Sequence, residues 1–133
     1  MTLRLFTTIT ASLLTVGISY AGNAAPKLVQ AINCARATTT VEIHGCASRS
    51  LKASDRKLNQ VYQQLRPKLD SKQRQRLTQA QLNWIKFRDA TCVYESGELG
   101  SGTASTAAYL YCLDRVTKQR TEDLQGYLDR TQI

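Results

Sequence analysis

Apolar and polar residues alternate with a helical rhythm along most of this chain. Between about Val41 and Arg66, steps of three and four residues place Leu51, Asp55, Leu58, Tyr62 and Leu65 on one stripe. From Ser71 to about Ser96 the same spacing collects Leu77, Gln81, Trp84, Arg88 and Cys92. From Thr103 or Ser105 to about Leu128 it collects Cys112, Val116, Arg120, Leu124 and Tyr127. These are three long helices, and a short apolar and polar mix from Lys27 to Ala37 predicts a first, shorter helix that carries Cys34. The punctuation agrees. Thr39-x-x-Glu42 has the capping-box pattern, Asp70 with Gln73 opens the next helix after the break at Pro67, and Gly97 closes it. Period-two alternation is scarce, so the pattern predicts an all-α antiparallel bundle of three long helices plus one short N-terminal helix, with the Trp84 helix at its centre.

The first residues break this rhythm. Arg4 is followed by an apolar run from Leu5 to Ile18 and by Ser19-Tyr20-Ala21, small residues at the two positions a processing peptidase reads. Residues 1–21 are therefore expected to be a signal peptide and residues 22–133 the exported domain; the run is shorter than the roughly 20 residues a membrane span needs. No cysteine directly follows the run, so a lipid anchor is not expected. All four cysteines, Cys34, Cys46, Cys92 and Cys112, lie beyond it. In an oxidising compartment, periplasmic or extracellular, they predict two disulfides. Zinc is the alternative, but no Cys-x-x-Cys pair occurs and His44 is the one histidine. Three pairings are open. Folding the last two helices back on each other brings Cys92 to Cys112, and the same logic joins Cys34 to Cys46, the pairing that needs least rearrangement.

The polar residues on the apolar stripes need partners. An up-down-up register brings Asp55, Trp84 and Arg120 to one level, with Arg88 a turn away. It predicts a closed structural network in which Asp55 accepts from Arg120, with Arg88, Asn59 and Gln81 completing it. Asp55 as a general base is the functional alternative, opposed by the lowered pKa an arginine partner would impose. On the network reading, Asp55→Ala lowers the melting temperature by stranding a buried cation.

Charge then separates the surfaces. Eighteen basic residues face ten acidic ones, a net of +8, or +7 without Arg4. Eight of the cations fall between Lys52 and Arg76, against Asp55 and Asp70, a local +6. Arg66, Lys68, Lys72, Arg74 and Arg76 make the reversal between the first two long helices a candidate surface for an acidic protein or an anionic envelope polymer. Nucleic acid is not expected for an exported protein whose one aromatic in this stretch, Tyr62, belongs to the core. The other candidate surface is the glycine-rich loop around Gly100, Ser101, Gly102 and Thr103. It lacks the strand before it and the Gly-Lys-Ser/Thr after it that a phosphate-binding loop requires. With one histidine, no unpaired cysteine expected and no paired carboxylates, the inventory points away from an enzyme and from any cofactor.

The ordered set Cys34, Cys46, Asp55-x-x-Leu58-Asn59-x-x-Tyr62, Gln81-x-x-Trp84-Ile85-x-Phe87-Arg88-Asp89-x-x-Cys92, Gly100-Ser101 and Cys112-x-x-x-x-Thr117-x-x-Arg120-x-x-x-Leu124 resembles the lysozyme inhibitor LprI-like family of small exported bacterial proteins. The likeness runs from about Cys34 to Leu124. It implies an all-helical domain with paired cysteines outside the cytoplasm, and a protein partner that is a lysozyme. The chain departs from the namesake type in having no lipid-anchor signal.

Overall fold

The computed structural model describes residues 33–131. They form α1 (Thr40–Leu65), a 3₁₀ turn (Arg66–Lys68), α2 (Ser71–Gly97) and α3 (Thr103–Arg130), with no strand among the described residues. The three long helices of the sequence pattern are all present, each within two residues of its expected ends. At the start of α1 the capping box is complete. The Glu42 N–H donates to Thr39 Oγ1 at 3.3 Å, and Glu42 Oε2 accepts from the backbone N–H groups of Thr39 and Thr38 at 3.1 and 3.2 Å. These bonds, that to Thr39 foremost, hold the Glu42 carboxyl below the ordinary glutamate range. Asp70 caps α2, accepting from the Gln73 N–H at 2.8 Å.

The short N-terminal helix is not seen in the residues that can be described. Over residues 33–37 the chain is a turn, in which the Asn33 side chain accepts from the Ala35 N–H at 3.1 Å and the Asn33 carbonyl from the Arg36 N–H at 3.1 Å. An asparagine that bonds the backbone two residues on competes with helix formation. The remainder of that expected helix and the expected signal peptide lie outside the described residues.

Packing makes α3 the central helix, and not α2 as the Trp84 stripe implied. α1 lies along α3 over much of its length, α2 packs on α3 less extensively, and the backbones of α1 and α2 approach each other little beyond the hairpin that joins them. α1 therefore turns Ala47, Ser54, Leu58, Val61 and Leu65 inward, while Leu51, Asp55 and Tyr62 sit at the margin of the contact. α3 buries two faces. Thr117, Thr121, Leu124 and Leu128 are covered, whereas Tyr127, expected inside, is 41% exposed.

Two apolar clusters fill the bundle. Near the hairpin, Leu58, Val61 and Leu65 meet Leu77, Leu124 and Leu128. Near the other end, Cys92, Cys112, Leu113 and Val116 pack with Leu51 and Tyr109. Trp84 touches both clusters and bridges them. The disulfides are Cys34–Cys46 and Cys92–Cys112, the local pairing. No helix among the described residues is long and apolar enough to cross a membrane.

Candidate functional site

Because the backbones of α1 and α2 stay apart and meet mainly through side chains, the space between them is an open groove of about 310 Å³. α1 contributes Asp55, Leu58, Asn59 and Tyr62; α2 contributes Thr78, Gln81, Leu82, Trp84, Ile85 and Arg88. Steps of three and four along both helices bring these side chains to facing margins. Asp55, Asn59, Gln81, Trp84 and Arg88, expected to form one closed network with Arg120, are thus brought together along one groove. The network does not close.

Arg88 is the cation beside Asp55, with Nη1 3.6 Å from Oδ1, but its shorter bonds go to its own neighbour. Nε and Nη2 reach Asp89 Oδ1 at 2.9 and 2.8 Å, Nη1 donates to Thr117 Oγ1 at 3.4 Å, and the guanidinium lies 5.2 Å from the Trp84 ring centre. Arg120, the partner expected for Asp55, instead donates to Gln81 Oε1 at 3.1 Å and lies 3.9 Å from Asp123. Gln81 lies one turn before Trp84 on α2, and that amide and an acid on its own helix hold Arg120. Tyr62 closes one end of the groove through a 3.1 Å hydrogen bond with Thr78.

Asp55 is left with its carboxylate 43% exposed. Burial pushes its carboxyl above the ordinary aspartate range; Arg88 pulls the other way, and the charges of Asp114 and Asp89 add to the rise. This reverses the lowered pKa expected from an arginine partner. It also removes the reason for Asp55→Ala to strand a cation, because Arg88 keeps Asp89.

The buried ionic unit is one that the stripes did not single out. Asp114, 8% exposed at its side chain, accepts from Ser50 Oγ and from Lys118 Nζ, both at 2.8 Å and both on Oδ2; Oδ1 is buried with no hydrogen-bond partner among the described residues. Burial alone would raise this carboxyl, but the Lys118 and serine hydroxyl bonds outweigh it and hold it below the ordinary range. The i, i+4 spacing of Asp114 and Lys118 was the available signal.

At the hairpin, Arg66 and Arg74 line two clefts of about 470 and 310 Å³, the first completed by Ser71, Gln75, Thr78 and Gln79 and the second by Gln63 and Pro67. Thr78 is shared with the α1–α2 groove, so the clefts and the groove adjoin. Lys68, Lys72 and Arg76 are exposed around them. At the opposite end of α2, Gly100 and Gly102 adopt φ of +74° and +135°, backbone that other residues rarely take, and an added Cβ would meet nothing within 4 Å. Conformation, not crowding, therefore calls for glycine there. Ser101 and Thr103 are exposed on this loop, which Ser105 Oγ ties to the end of α2 by donating to the Ser96 carbonyl at 3.1 Å. Among the described residues no three His, Cys, Asp or Glu side chains come together as a metal site.

The family model for lysozyme inhibitor LprI matches residues 32–124, which include α1, α2, the glycine loop and most of α3. An uncharacterized protein of Rhizobium meliloti is 23% identical over 110 residues, covering 73% of this chain and 79% of that protein. No solved structure matches the chain.

Proposed function

The chain belongs to the lysozyme inhibitor LprI family, and on that premise we propose that it is an exported protein-binding domain that inhibits a lysozyme by occupying its cleft. The family match over residues 32–124 carries this reading. Lysozyme-type clefts hold two carboxyl groups, so an inserted cation or a hydrogen-bonding loop is complementary to them. Arg66 and Arg74 supply the first, and the loop of Gly100, Ser101, Gly102 and Thr103 the second. Two disulfides suit a periplasmic or extracellular site, and the stretch from Met1 to Ala21 reads as the signal that would bring the chain there. In this role the chain carries out no reaction of its own and needs no cofactor.

The test is a muramidase assay of the purified, disulfide-intact protein against several lysozyme types. Inhibition at micromolar protein is expected, with Arg66→Glu/Arg74→Glu and a Gly100→Val/Gly102→Val loop variant identifying the inserted element. No inhibition of any type would sink the reading.

A second reading has its own support. Arg66 and Arg74 line the same clefts, and neither is in an ion pair among the described residues. Such a hairpin suits an acidic partner protein or an anionic envelope polymer, without lysozyme inhibition. Nucleic acid is not the polyanion meant, since export separates the two. Binding to anionic envelope fractions that weakens steeply with salt, in a protein that leaves every muramidase active, would favour this reading over the first.

A further inference from the structure

Among the described residues, the Asn59 side chain has no hydrogen-bond partner and that of Asp55 has only the approach of Arg88. Arg88 Nη1 is 3.6 Å from Asp55, beyond a good hydrogen bond, and the guanidinium is already held by Asp89 at 2.8 Å. Asn59 stands exposed one helical turn along α1 from Asp55. Across the groove, α2 presents Leu82 and Ile85, 50% and 37% exposed. The groove thus offers an under-used carboxylate and a free amide beside an apolar wall.

That combination selects among ligand chemistries. A sugar ring would want a bare aromatic face to stack on, but Arg88 covers one face of Trp84, and the ring also packs on both core clusters. A phosphate would meet Asp55 with Asp89 close by. A long basic side chain fits: its head bonds Asp55 and Asn59 while its methylenes lie along Leu82 and Ile85.

We propose that the groove between α1 and α2 is a docking site for a basic loop of the partner protein, with Asp55 as the anchor for an arginine or lysine. The identity of the partner as a lysozyme rests on the function proposed above; the chemistry of the groove does not. Asp55 lies 11 residues before Arg66, about 16 Å along α1 at 1.5 Å per residue. A partner seated on this face would meet cations at the hairpin and a carboxylate in the groove.

Wild type, Asp55→Asn and Asn59→Arg are compared by calorimetric titration with chicken-type lysozyme, and by the fluorescence of Trp84, the chain's one tryptophan, during titration with tri-arginine. Asn59→Arg changes an exposed residue and places its own cation four residues from Asp55, filling the groove from within. The expected result is a loss of about tenfold or more in lysozyme affinity for both variants, with circular dichroism melts as cooperative as wild type, and a tri-arginine response in wild type that Asn59→Arg lacks. If wild type binds lysozyme and both variants bind within about twofold of it, the groove is not the docking site, although the inhibitor reading stands. If wild type ignores lysozyme but Trp84 responds to tri-arginine in wild type alone, the groove stands and the inhibitor reading fails. Silence in both titrations overturns the proposal.

Discussion

The two disulfides close loops of similar size, yet removing them should have very different consequences. With sequence separations of 12 and 20, the loop-entropy estimate assigns about 2.8 kcal/mol to Cys34–Cys46 and about 3.3 kcal/mol to Cys92–Cys112 at 25 °C. That estimate assumes the native state holds both ends in place whether or not the bond is present. The assumption suits Cys92 and Cys112, which are 0% and 5% exposed and pack with Leu113 and Val116 between two long helices. It fails at Cys34, which sits on an exposed turn ahead of the Thr39 cap. With that bridge open, an exposed turn gains freedom in the native state as well as in the unfolded one, so much of the entropy difference cancels.

Cys92→Ala/Cys112→Ala should therefore cost the full entropy term plus about 1 kcal/mol for the small cavity left by the sulfurs, about 4 kcal/mol in all. Cys34→Ala/Cys46→Ala should cost about 1 kcal/mol. For a domain of about 100 residues, at roughly 4–8 °C per kcal/mol, the melting temperature falls by roughly 16–32 °C in the first variant and by less than about 8 °C in the second. Far-ultraviolet circular dichroism melts of the two variants decide it. Equal falls, or a larger fall for the Cys34–Cys46 variant, would refute the claim that an exposed bridge end gains freedom in the folded protein when the bond is opened.

Asp114→Asn should cost about 2 kcal/mol at neutral pH, from the loss of charged hydrogen bonds to Lys118 and Ser50. Because the folded-state carboxyl is held below its ordinary value, that advantage exists above the unfolded value of about 3.9 and disappears as pH falls through the folded one; urea midpoints of both proteins across acid pH should converge. Asp55→Asn should leave the melting temperature at neutral pH unchanged or slightly higher: its carboxyl is raised in the fold, so the ionised form carries a small cost that vanishes as pH drops below the unfolded value. A fall of more than a few degrees at neutral pH would mean that Asp55 holds the fold together after all. Trp84→Ala should cost about 3 kcal/mol in urea unfolding, at the low end for a buried aromatic because the ring is only partly covered.

The helices and their caps were legible because their signals are local. Thr39 with Glu42, Asp70 with Gln73, and Pro67 between them need only neighbours a turn away, and the cysteine pairs follow once the hairpins are drawn. The packing order was less legible, and the reason lies in hydroxyl residues. Thr117 is fully buried and Thr121 nearly so, and Thr121 donates its hydroxyl to the Thr117 carbonyl at 2.8 Å. Ser54 does the same to the Leu51 carbonyl at 2.9 Å. A hydroxyl satisfied by its own helix presents little but carbon to its neighbour, and small side chains let α1 approach α3 closely. A scan for large apolar residues passes over that seam and selects Leu51, Tyr62 and Tyr127, which lie at the margins. The same error hid the groove: with α2 taken as the central helix, Asp55 and Asn59 should have been sealed between α1 and α2.

The net charge of +8 disfavours the approach of a basic partner, but charge acts at two ranges. Beyond contact, the summed field governs how fast a partner arrives, and a basic protein would approach more slowly. At contact the local groups decide. Arg66 and Asp55 are about 16 Å apart along α1, roughly twice the screening length of about 8 Å at physiological salt. At the groove end a partner therefore meets the Asp55 carboxylate beside an Arg88 already paired with Asp89, beyond the reach of the hairpin cations Arg66 and Arg74. The cations concentrated at the hairpin leave a carboxylate accessible in the groove, and α3 makes this possible by carrying most of the packing for both other helices. If α1 and α2 were pressed together, Asp55 would have to pair internally or be replaced by a hydrocarbon side chain. Because they are held apart, the bundle keeps an ionised side chain that contributes nothing to its stability, in a groove open to solvent.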